Sequence, residues 1–155
     1  MQEITFEDWL FEKYADDANA DINLVPEPAK TVMSIYLAHY LIGNGGYRYF
    51  FENNLSGNTT YKMILESCKR VGLSHLAESF EKVLNLFPDS QPHEDLTERE
   101  KFLSKYFEVE DKDGNPVSTY SPVVEEAERL YFNEYKNIPE AIRLYFEENY
   151  SEYDD

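Results

Sequence analysis

Leu76, Ala77, Phe80, Val83, Leu84 and Phe87 fall at offsets 0, 1, 4, 7, 8 and 11, a spacing that lines apolar side chains along one stripe of an α-helix and along no face of a strand. Most of the chain is written in the same period. Phe6, Trp9, Leu10 and Tyr14 recur three to four residues apart behind Thr5, which can cap that helix. Asn19 to Pro28 reads as a loop, because Pro26 and Pro28 block helix extension. From Ala29, the positions Val32, Met33, Ile35, Tyr36, Leu37, Tyr40 and Leu41 surround most of a helix and predict a central buried one, with Gly43 as its stop. Tyr61, Ile64, Leu65 and Cys68 predict a further helix closed by Gly72, and Ser74 is the expected cap of the next. Thr97 with Glu100 reads as a capping box. Ser121 with Pro122, and then Pro139, open the last two helices by the rule that proline is tolerated in a first turn. No segment of useful length alternates as a half-buried strand would. The expectation is an all-α, single compact domain of six to eight helices over residues 1–155.

The 155 residues are enough to enclose a core without disulfides or metal, and 42% hydrophobic with 15% aromatic content excludes an acidic disordered chain. Against 14 Lys and Arg stand 31 Asp and Glu, a formal net charge of -17. Direct binding to nucleic acid or to an anionic membrane is excluded by like-charge repulsion, so a charged partner must be basic. Cys68 is the one cysteine, which suits a reducing compartment. The segment Met1 to Asp8 has neither a basic start nor an apolar stretch for a signal peptide. Thr31 to Ile42, the longest mainly apolar stretch, is too short to cross a bilayer. A cytoplasmic protein is expected.

The charge is segregated. Residues 1–27 hold eight acids and one base, residues 28–88 four acids and six bases, and residues 89–155 nineteen acids and seven bases, or -7, +2 and -12. A nearly neutral core segment thus lies between acidic flanks.

No chemistry-bearing constellation stands out. His39, His75 and His93 lie in different elements without metal-ligand spacing. His39, on the apolar helix, reads as a hydrogen-bonded core histidine, and Cys68, at an apolar helical position, as a packed thiol. Gly43-Asn44-Gly45-Gly46 lacks the spacing, lysine and preceding strand of a phosphate loop and reads as a helix stop with a new helix from Tyr47. Asp111 to Asn115 resembles a calcium loop, but the anchor positions fall on Val109 and Tyr120, so it reads as a turn. Glu125, Glu126 and Glu128 have no neighbouring histidine of the kind a di-iron bundle uses. Glu140, Arg143 and Glu147 are spaced for mutual pairing on a helix. No metal, cofactor or catalytic residue is expected.

Asn44, Gly45, Gly46 and Tyr47, then Phe50 and Phe51, then Asn54, Ser56 and Gly57, then a helix ending at Gly72 and the Leu76 to Phe87 helix, resemble the acidic DNA-mimic protein family over about residues 28–87. The resemblance implies an all-helical fold, homodimers, and binding to DNA-binding proteins in place of DNA. Because the matching segment is slightly basic, its motif residues are expected to mark the fold, and mimicry has to come from the flanks. Duplex DNA shows one charge per roughly 1.7 Å of axis, whereas helix neighbours three or four apart lie about 5–6 Å apart between β-carbons. Two acidic helices side by side, or a dimer, are therefore needed. The candidate surface is Asp16, Asp17, Asp21, Glu125, Glu126, Glu128, Glu134, Glu147 and Glu148. The leading expectation is a non-enzymatic binding protein that occupies the DNA-binding surface of a basic protein. The alternatives are an immunity-type protein that neutralises a basic toxin such as a nuclease, and an enzyme that binds a small anion around Asn44, Tyr47 and Arg48.

Overall fold

The computed structural model describes residues 3–107, 109–110, 112–114, 116–117 and 121–150. Among the described residues seven α-helices carry the fold: α1 (Phe6–Ala20), α2 (Ala29–Glu52), α3 (Tyr61–Val71), α4 (Ser74–Leu84), α5 (Leu96–Phe107), α6 (Pro122–Glu134) and α7 (Ile138–Asn149). The only sheet among the described residues is a two-residue antiparallel pair, β1 (Val109–Glu110) with β2 (Pro116–Val117). The domain is all-α, as the helical period requires.

The central helix is α2. Val32, Ile35 and Ile42 are fully buried along it, and α1, α3, α5, α6 and α7 all touch it. Its break differs from the expected stop at Gly43, because the helix runs past that residue. A Cβ on Gly43 would lie 3.2 Å from the Tyr131 hydroxyl and 3.4 Å from the Tyr135 ring, so Gly43 serves the close approach of α6. The break comes at Gly46, with φ 73 and ψ -171, a backbone conformation open essentially to glycine alone. Tyr47 restarts the helix, as expected.

Two expected caps also move. Ser74 is the first residue of α4, whose N-cap, Leu73, supplies no side-chain hydrogen bond. The buried amide of Leu76, which has no acceptor within the first turn, donates instead to Glu134 Oε2 on α6, at 2.5 Å. The α5 cap is Asp95, which accepts from the Glu98 amide at 3.1 Å, leaving Thr97 inside the first turn. Thr5 and Ser121 cap α1 and α6 as the sequence predicts, and Gly72 closes α3 in a left-handed conformation.

Behind the glycine turn an aromatic cluster fills the core. Tyr47, Phe50, Phe51 and Phe80 are wholly buried, with Phe51 at 5.1 Å from Phe50 and 4.9 Å from Phe87 between ring centroids. The Tyr47 hydroxyl bonds Ser79 Oγ at 2.5 Å, and Ser79 in turn donates to the Ala127 carbonyl. The motif residues thus join α2, α4 and α6 through a polar chain inside an apolar core. Gly57 has a comparable role at the surface: its carbonyl accepts from the Ile22 amide at 2.7 Å, and a Cβ there would fall 1.8 Å from the Ala18 carbonyl oxygen. Only glycine lets that turn meet the end of α1.

Candidate acidic interaction surface

Nine carboxylates predicted from the sequence fall into three neighbourhoods, two of which, on α1 and α7, are linked by a hydrogen bond from Lys13 Nζ to the Tyr150 hydroxyl at 3.2 Å. Asp16, Asp17 and Asp21 lie at the end of α1, beside the Gly57 turn. Asp16 and Asp17 are exposed. Asp21 accepts from the Asn23 backbone amide at 3.0 Å, and that bond lowers its pKa from the ordinary aspartate value.

The second neighbourhood is α6, which lies along α4. Glu125 is exposed. Glu126 receives two bonds from Arg129, at 2.5 and 2.9 Å, which lower its pKa. Glu128 is half-buried; Oε1 accepts from the Tyr47 amide at 3.3 Å, and burial raises its pKa despite that bond. This carboxylate satisfies the amide that the Gly46 break leaves without a helical partner. Glu134 has to be withdrawn from the surface. It is 9% exposed, and its carboxylate is committed to the α4 terminus, where the positive end of the helix dipole favours an anion.

Glu147 and Glu148 form the third neighbourhood, on α7. Both are exposed, and Arg143 Nη1 lies 2.8 Å from Glu147 with Nη2 3.4 Å from Glu140. α7 reaches α1 through Trp9, which lies 5.5 Å from Phe146 and 5.8 Å from Tyr150 between centroids.

That contact brings in acids absent from the predicted set. Asp8, Glu12 and Asp16 are exposed and spaced four apart along α1, so they form one row on the helix surface. Lys13, the only basic residue of α1, lies over the Trp9, Tyr14 and Tyr150 rings at 5.4 to 5.6 Å. Glu7, half-buried beside them, has its pKa raised by burial and then by Asp8. The i, i+4, i+8 spacing was readable from the sequence, but its neighbour α7 could not be identified without the fold.

The other chemical readings can be located as well. Tyr47 is buried in the core and Arg48 Nε lies 2.6 Å from Glu52, so Asn44, Tyr47 and Arg48 do not converge on an open anion pocket. His39 is buried with Nδ1 2.8 Å from the Tyr131 hydroxyl, and burial lowers its pKa. Cys68 is fully buried, and burial pushes its thiol up to about 12. Both are packing residues. Lys112 to Gly114 form a turn, while Asp111, Asn115 and Tyr120 lie outside the described residues. Among the described residues no group of three or more His, Cys, Asp or Glu side chains is placed to hold a metal ion, and no helix is long and apolar enough to cross a membrane.

A family model described as DMP19-like protein matches residues 23–149. No curated protein and no solved structure matches the chain. The match extends well beyond the expected residues 28–87. It takes in α6 and α7 with their acids and leaves α1, with its acidic row, outside.

Proposed function

The chain belongs to the DMP19-like family, and from that premise we propose that it is a non-enzymatic acidic binding protein that occupies the DNA-binding surface of a basic DNA-binding protein. The observation that carries this reading is the row Asp8, Glu12 and Asp16, exposed on a helix held against a second acid-bearing helix, α7. Asp17 on α1 and Glu147 and Glu148 on α7 are further exposed acids of these two helices. One helix spaces its charges too widely to imitate a duplex; two adjacent helices come nearer to the density of phosphates, and a homodimer would double the surface. Long-range attraction to a basic partner would speed association and weaken steeply with salt.

The test uses the immobilised full chain and a cell lysate at low salt, with captured proteins identified and then purified for direct binding. Supporting results are capture of DNA-binding proteins, release by salt, and competition by duplex DNA. Binding untouched by excess duplex would sink the reading. Exclusive, tight capture of one nuclease would assign the same surface to toxin neutralisation instead.

A further inference from the structure

Away from the acidic helices, a cleft of about 570 Å³ opens between the start of α3 and the segment leading into α5. Its size is that of a small-molecule site. Arg99 lines it and is 2% exposed, which makes it a buried cation in a strongly acidic protein. Its partners are neutral. Nε donates to the Phe51 carbonyl, Nη1 to the carbonyls of His93 at 2.7 Å and Glu94 at 3.3 Å, and Nη2 to Asn54 Oδ1 at 2.7 Å.

A guanidinium has five N–H groups. Four acceptors account for four of them, so one Nη2 hydrogen has no acceptor among the described residues. No carboxylate lies within ion-pair distance of Arg99 among those residues either, although a buried charge is strongly stabilised by an opposite one. The bond from Nη2 also fixes the Asn54 amide. With Oδ1 taken, Nδ2 remains as a donor beside the guanidinium and has no acceptor among the described residues.

Leu55, Leu65, Leu84 and Pro92 supply apolar wall, and Tyr61 adds a ring. Lys62, Asp89 and Glu94 are exposed at the rim, so the mouth carries two acids to one base and repels multiply charged anions. Asp89 and Ser90, also on the rim, hold consecutive positive φ angles of 57 and 57, backbone strain of the kind that collects at binding sites.

We propose that this cleft binds a small monocarboxylate with an apolar body, the carboxylate being received by Arg99 Nη2 and Asn54 Nδ2 and the body by the leucine wall. The two adjacent donors suit the two oxygens of a carboxylate. The rim disfavours phosphate dianions.

The test is titration of the full chain with hexanoate and with phenylacetate at constant ionic strength, read by backbone and Asn side-chain amide resonances. Hexanamide, phenylacetamide and inorganic phosphate are run beside them. The expected result is saturable shifts at Asn54, Lys62 and Gln91, with each acid at least tenfold tighter than its amide and phosphate without effect. Leu65→Trp, which fills the wall and leaves Arg99 in place, should weaken the acids at least tenfold while the melting temperature stays within a few degrees. Arg99→Gln should abolish binding if it folds; the Leu65 variant keeps the test decisive if it does not. Equal affinity for acid and amide, shifts that scatter or fail to saturate, phosphate competing as well as the acids, or a folded Leu65→Trp chain with unchanged affinity would overturn the proposal.

Discussion

The segment α2 to α4 and the helices α1, α6 and α7 treat charge in opposite ways. In the first, bases find acids: Arg48 lies 2.6 Å from Glu52, Lys62 3.8 Å from Glu66, Lys69 3.4 Å from Glu81 and Lys82 4.0 Å from Glu78. On α1, five acids accompany one base, and Asp8, Glu12 and Asp16 stand exposed in one row. On α6 and α7, Arg129 and Arg143 engage Glu126, Glu140 and Glu147, leaving Glu125 and Glu148 without an ion pair among the described residues. The excess charge is thus a difference in pairing as much as in composition. Exposed ion pairs contribute little stability, so the paired segment gains chiefly neutrality, and its cohesion has to come from the aromatic core.

That attribution can be broken at Phe51. The side chain is fully buried against Tyr47, Phe50, Tyr61 and Phe87, and Phe51→Ala should cost about 3–5 kcal/mol through lost burial and the cavity left behind. Urea unfolding measures it. A loss below about 1 kcal/mol would move the centre of stability out of this segment.

Glu134 sharpens the comparison from the other side, since it lies on an acidic helix but serves the core. Removing its carboxylate as Glu134→Ala leaves the buried Leu76 amide without its acceptor and should cost about 1–3 kcal/mol, whereas exposed Glu148→Gln should stay within about 0.5 kcal/mol. Equal denaturation midpoints for the two variants would return Glu134 to the surface set.

What the sequence disclosed and what it withheld divide along the same line. Periodicity located the helices because an amphipathic stripe is a local property, and Thr5, Gly72 and Ser121 act on their own helices. The expected Ser74 cap failed because the acceptor, Glu134, comes from fifty-eight residues away. Gly43 misled because a glycine needed for close packing reads the same as one needed for a turn. Among the acids, sequence alone could not separate Glu128 and Glu134, bound to backbone amides of the core, from Glu125, which is exposed; only the packing of α6 on α4 and the glycine turn does so. The cleft was equally hidden, since Arg99 and Asn54 are forty-five residues apart.

If the unpaired acids form the binding surface, neutralising Asp8, Glu12, Asp16 and Asp17 together to their amides should weaken a basic partner at least tenfold, about 1.4 kcal/mol, and flatten the salt dependence. The denaturation midpoint should hold or rise, because self-repulsion falls. Neutralising Glu66, Glu78 and Glu81, which are paired within the core segment, should leave partner affinity within about twofold, well under 1 kcal/mol. Equal losses from the two sets would mean that net charge, and not its placement, governs binding.

The smallest expected effect lies where the two regions meet, at the His39 bond to Tyr131. Burial lowers the His39 pKa, so the folded state disfavours its protonated form. The contribution to stability is therefore full above the unfolded value near 6.5 and is lost as pH falls through the lower folded value. Glu7 and Glu128 act in the opposite sense, their pKa values being raised by burial: their contribution grows as pH falls through the folded values and is complete below the unfolded value near 4.5. The histidine effect is isolated by comparison with His39→Gln, which keeps a group able to bond the Tyr131 hydroxyl. Between about pH 7.5 and 5.5 the native chain should lose melting temperature relative to the variant, because the lowered His39 pKa makes protonation favour the unfolded chain. Parallel melting curves across that range would show that protonation of His39 does not strain the contact between α2 and α6.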